Sequence, residues 1–132
     1  MEAWRKVWRA GVHLLPTRGL QALKVALETD DERLLQGATT TPPPLQCVQD
    51  WPCEAACRVG FCGWQADDDP TTTTVAEAEE FFAQWCFAVD EALQEPAACR
   101  WLLNAFDEWP RQEMRAALLP EVELALVGRR ET

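Results

Sequence analysis

A chain of 132 residues, nearly half of them hydrophobic, is long enough for one domain with a real core and too apolar for global disorder. The net charge of −10 disfavours nucleic acid as a partner, because phosphate affinity needs a basic patch. No apolar run approaches a membrane span, and the opening MEAWRKVWRAGVHLL has neither the continuous apolar stretch nor the small-residue cleavage site of a secretory signal, so a cytoplasmic protein with no membrane partner and with reduced or metal-ligating cysteines is expected.

The pattern predicts an all-α fold, an irregular bundle of about six or seven short helices in a single domain, residues 1–132. Residues 1–36 hold the N-terminal helices. The first runs over 2–15, with Trp4, Val7, Trp8, Val12 and Leu15 on or near one face, and Pro16 ends it. Thr17 can cap a second, about 18–28, with Leu20, Leu23, Ala26 and Leu27 inward. Asp30 or Asp31 starts a short third that stops at Gly37. Residues 38–46 then read as a proline-rich connector around Pro42, Pro43 and Pro44, extended and crossing the surface.

Residues 47–64 form a block rich in cysteine and tryptophan, with Cys47, Cys53, Cys57, Cys62, Trp51 and Trp64. Asp50 is a good N-cap, and Pro52 loses no hydrogen bond in a first helical turn. A helix over 51–60 puts Cys53, Ala56, Cys57, Gly60 and Phe61 on one face, so the thiols read as small buried hydrophobes that bind no metal. The alternative is structural zinc held by Cys47, Cys53, Cys57 and Cys62. The intervals of three and four residues after Cys53 and Cys57 suit zinc, but the paired C-x-x-C knuckles are absent. The third alternative is a thiol enzyme or redox sensor. It is opposed by the carboxylates beside Cys53, Asp50 and Glu54, and by the presence of a single histidine, His13, far away in sequence.

Residues 74–128 are a helical array. Thr74 and Glu77 spell a capping box that opens the clearest helix, about 75–94. At 100° per residue, Val75, Ala78, Phe81, Phe82, Trp85, Cys86, Ala88, Val89, Ala92 and Leu93 share one half of the wheel. Glu77, Glu79, Glu80, Gln84, Asp90, Glu91 and Gln94 share the other. Phe87 breaks the rule by falling in the middle of the acidic half. Either the N-terminal region or the strap at Pro42–Pro44 covers it, the commoner fate of a large aromatic, or it waits exposed for a partner. Further helices follow at about 97–108 and after Pro110; Pro120 breaks or kinks the latter, and the last piece ends at Gly128 with Arg129 and Arg130 favouring its dipole.

Residues 65–99 carry nine acids and no lysine or arginine, which accounts for nearly all of the net charge. One histidine cannot build a di-iron bundle, there is no P-loop and no G-x-G-x-x-G, and a chain without serine has no G-x-S-x-G nucleophile. No enzyme is indicated. The expectation is a protein–protein interaction module that meets a basic partner through Phe87, Glu80, Gln84 and Glu91, with Trp51 and Trp64 as further aromatic anchors. Two stretches, GATTTPPPLQCVQDW at 37–51 and EPAACRWLLNAFDEWP at 95–110, give the chain a resemblance to small uncharacterised bacterial proteins. That resemblance implies no activity and brings no functional residues.

Overall fold

One long helix packs its aromatic half against two others, and two further helices pack behind them. The computed structural model describes residues 3–35, 52–96 and 110–130. Among these, five α-helices replace the six or seven expected: α1 (Ala3–Gly11), α2 (Thr17–Thr29), α3 (Arg58–Gln65), α4 (Val75–Leu93) and α5 (Arg111–Arg130). Two short 3-10 turns, Val12–Leu14 and Pro70–Thr72, complete the helical parts. The chain is all-α. Its strand content among the described residues is a two-residue parallel pairing, β1 (Leu34–Leu35) with β2 (Ala56–Cys57), and an isolated bridge between Pro52 and Thr74. The connector at 38–46, Cys47, Trp51 and the helix expected at 97–108 lie outside the described residues, as do nearly all of the two resembling stretches.

α1 packs on α4, α2 on α3 and α5, and α3 on α4. The core draws on all five helices, with Trp8, Leu20, Phe61, Trp85 and Met114 buried in one cluster. Pro16 separates α1 from α2 as expected, but it serves as the N-cap itself, and Thr17 is the first helical residue. The α-helix at the N-terminus closes at Gly11 and finishes as a 3-10 turn, which carries Leu14 away from the core.

Three expectations are corrected. First, Asp30 does not start a helix. It ends α2 in the left-handed conformation, φ 55°, and the chain passes through a turn into β1. Arg111 fixes that turn, donating from Nε to Asp30 Oδ1 at 2.6 Å, from Nη1 to the Leu34 carbonyl at 2.7 Å and from Nη2 to the Asp31 carbonyl at 2.6 Å. Second, no helix spans 51–60. The Cys53 N–H donates to the Thr73 carbonyl at 2.7 Å, and the Ala56 N–H to the Arg33 carbonyl at 2.8 Å, so residues 53–57 are held extended. Tertiary pairing outweighs the local start signals there. Third, Pro120 does not divide the last helix. α5 runs through it, and Gly128 is helical rather than a cap. Pro120 and Ala116, whose carbonyl it deprives of a donor, are both exposed, so water can take the place of the lost bond.

α5 works as a strap of arginines. Arg115 donates to the Leu27 carbonyl at 2.7 Å and the Glu28 carbonyl at 3.2 Å, satisfying the C-terminal turn of α2. Arg129 donates to the Val12 carbonyl at 2.9 Å and the Thr17 hydroxyl at 3.0 Å. A guanidinium at a helix C-terminus both fills orphan carbonyls and offsets the dipole.

Candidate functional site

α4 begins as the sequence indicates. The Thr74 hydroxyl accepts from the Glu77 N–H at 3.2 Å, and the Glu77 carboxylate accepts from the Thr74 N–H at 3.1 Å. Gln94 closes the helix in the left-handed conformation, φ 58°. Val75, Ala78, Trp85, Cys86 and Val89 are buried, which fixes the outward face by elimination. Glu80, Gln84, Phe87 and Glu91 all stand exposed on that face. The Gln84 amide donates to Glu80 at 3.2 Å.

Phe87 is 68% exposed. Among the described residues the N-terminal region does not cover it, because α1 reaches α4 on the other side, against Trp85 and Val89. The strap at Pro42–Pro44 lies outside the described residues. Phe87 borders a shallow cleft of about 310 Å³ with Asp90, Glu91, Gln94 and Glu95.

Trp64 is not an exposed anchor. It is 5% exposed, its indole N–H donates to the Pro70 carbonyl at 2.8 Å, and it meets Phe61 edge to face at 5.7 Å. Arg33 lies 5.5 Å from the centre of its ring. Trp51 lies outside the described residues. Even so, the structure brings Trp64, Glu80 and Gln84 to one cavity of about 230 Å³, with Gly63, Asp67 and Phe81. Phe87 stands apart from it, further along α4.

A second cavity, about 220 Å³, abuts the first and is lined by Leu14, Phe81, Gln84, Trp85 and Ala88. Leu14 and Asp67 were missed from sequence. Leu14 carried one available signal: of the neighbours Leu14 and Leu15 before Pro16, only one can face a helix's core side, and Leu15 is the buried one.

The cysteines are placed inward, but on no common helix. Cys53, Cys57, Cys62 and Cys86 are buried free thiols. Cys57 is the N-cap of α3, its Sγ accepting from the Gly60 N–H at 3.4 Å, the role that sequence gives to Asp50. The Cys53 thiol donates to the Ala55 carbonyl at 3.5 Å. Burial pushes Cys53 and Cys57 up to about 11, and Cys62 further up. A thiol so raised is protonated at neutral pH and is a poor nucleophile. Among the described residues no three histidine, cysteine, aspartate or glutamate side chains gather as a metal-ligand group. Cys47, the fourth residue of the zinc alternative, lies outside those residues. Among the described residues, too, no helix is long and apolar enough to cross a membrane.

No protein-family model, no curated protein and no solved structure matches the chain.

Proposed function

We propose that this is a non-enzymatic, cytoplasmic protein–protein interaction module whose α4 face docks a protein partner with a basic surface. The observation that carries this reading is Phe87. A phenylalanine with two thirds of its surface in water stands beside Glu91, Asp90 and Glu95. The surrounding sequence, 65–99, contains no lysine or arginine. An aromatic centre with a charged rim is the usual anatomy of a small protein interface. The acidic rim selects a basic partner and speeds encounter with it.

Phe87→Ala tests the reading. Truncating an exposed ring leaves no cavity, so the melting temperature stays within about 2 °C of wild type, a change of well under 1 kcal/mol. Proteins captured by the immobilised wild-type chain are identified, purified and titrated against both forms. The expected outcome is a basic partner whose affinity falls at least tenfold with Phe87→Ala and with Glu91→Lys. A variant that melts several degrees lower, or that binds the partner with unchanged affinity, overturns the reading.

A further inference from the structure

Two cavities on the flank of α4 are both bordered by Phe81 and Gln84, so they lie side by side as a two-part groove beside the Phe87 face. Its two halves differ in chemistry. The half lined by Leu14, Phe81, Trp85 and Ala88 is apolar, and Leu14 is left 44% exposed there. The other half carries three carboxylates, Asp67, Glu77 and Glu80, over the aromatic walls of Trp64 and Phe81. No lysine or arginine lines either half.

Two close approaches pack the groove walls against neighbouring elements. A Cβ on Gly63 would stand 2.4 Å from the Phe81 ring, and one on Gly11 would stand 2.5 Å from the Trp85 ring. Only a residue without a side chain permits either contact. The Trp85 indole N–H donates to the Gly11 carbonyl at 2.8 Å, which locks the apolar half from below. The Thr73 hydroxyl donates to the Asp67 carboxylate, and the capping box orients Glu77. A preorganised surface spends little entropy on binding.

We infer that this groove takes a basic protein segment presenting one apolar side chain and one lysine or arginine about a helical turn apart. The inference rests on the docking reading of α4 and names what the partner must offer. The α4 residues lining the acidic half span 77–84, and those lining the apolar half span 81–88. The offset of four residues is about 6 Å along the axis. That distance matches side chains at i and i+4 on a docked helix. A cavity of about 220 Å³ has room for a leucine or methionine side chain. The acidic half offers a guanidinium or ammonium group carboxylates beside the half-buried Phe81 ring. A second copy of this chain is disfavoured as the occupant, because its acidic face would meet another.

The probe is a fluorescent helical peptide with leucine and lysine at i and i+4 on one face, beside a scrambled peptide of identical composition. Fluorescence anisotropy at low ionic strength is expected to favour the patterned peptide at least tenfold. Leu14→Asp and Glu80→Lys, both at exposed positions and checked for helix content by circular dichroism, are each expected to weaken it tenfold or more. Equal binding of the two peptides, or no binding of the patterned one, overturns the groove. If Phe87→Ala weakens the patterned peptide and the two groove variants do not, the groove is overturned and the docking face stands. If the groove variants weaken it and Phe87→Ala does not, the groove stands and the Phe87 anchor fails. If none of the three matters, both fail.

Discussion

Glu121 on α5 accepts both arms of one guanidinium, that of Arg9 on α1: Nη2 to Oε1 at 2.9 Å and Nε to Oε2 at 3.2 Å. Arg5 Nε lies 2.8 Å from the same Oε1. Glu121 itself is only 6% exposed. The fork ties the first helix of the chain to the last, and Glu121→Ala removes it while leaving cations facing a partly dry site. Since Arg9 is itself about half exposed, solvent screens part of the loss, and the expected cost is about 1–3 kcal/mol. Thermal melting should fall by about 5–10 °C. Arg9→Ala should cost less, since Arg5 still reaches the carboxylate. Equal losses would mean that Arg5 contributes nothing.

Gly11→Ala forces a methyl into the Trp85 ring and the Val89 side chain, each within 2.5 Å of its position. Overpacking of this kind costs about 1–3 kcal/mol. The variant should melt lower, and its tryptophan emission should shift as the indole loses its bond to the Gly11 carbonyl. Gly63→Ala, pressed on Phe81, should behave alike in melting.

The thiols make an alkaline prediction. A thiol held at about 11 in the fold and near 9.0 when unfolded stays protonated in the native state while the unfolded chain ionises. Its contribution to stability is complete below pH 9 and is lost as pH rises towards 11. Denaturant midpoints should therefore decline across that window. Cys57→Ala should flatten the decline. In native protein at pH 7, Cys53, Cys57, Cys62 and Cys86 should react with Ellman's reagent far more slowly than after unfolding.

At the acid end, Asp30 is held below the usual carboxylate range, chiefly by its bond to Arg111, and Asp31 chiefly by its bond to Arg33. Depressed carboxylates give stability that is present above their unfolded value, near 3.8, and lost as pH falls through the folded one. Acid unfolding should steepen below pH 4. Arg111→Ala should remove part of that dependence, which a melting series from pH 2 to 6 would show.

Pro120→Ala should raise the melting temperature by a few degrees. The substitution restores the N–H that the Ala116 carbonyl lacks, and an interior proline costs a helix about 3 kcal/mol. Unchanged or lower melting would mean that Pro120 is needed for the fit of α5 on α2.

α4 was legible because its signals are local: Thr74 and Glu77 spell its start, and the wheel separates its halves without help from the rest of the fold. Pro16 was equally plain. The segment from Cys53 to Gln65 was not, since its start is decided by backbone bonds to Arg33 and Thr73, partners distant in sequence. Pro120 misled because a proline reads as a break unless its exposure is known. Of the candidate site, Phe87, Glu80, Gln84 and Glu91 share the expected face. Trp64 was misplaced because indoles serve cores and interfaces equally well. The groove was invisible, because Leu14 and Asp67 arrive from elements whose orientation only packing sets.

Arg111, Arg115 and Arg129 have a consequence for the order of events during synthesis. The carbonyls of Leu27, Glu28 and Leu34 leave the ribosome long before the guanidiniums that bind them. Until α5 emerges, the last turn of α2 has only its own backbone cap, the Asp30 and Asp31 N–H groups on the Ala26 carbonyl, and Glu121 has not yet arrived to receive Arg9. The N-terminal half is thus translated first but finished last, and a nascent chain stopped before residue 111 should be an easy substrate for proteases at the junctions after Gly11 and Thr29.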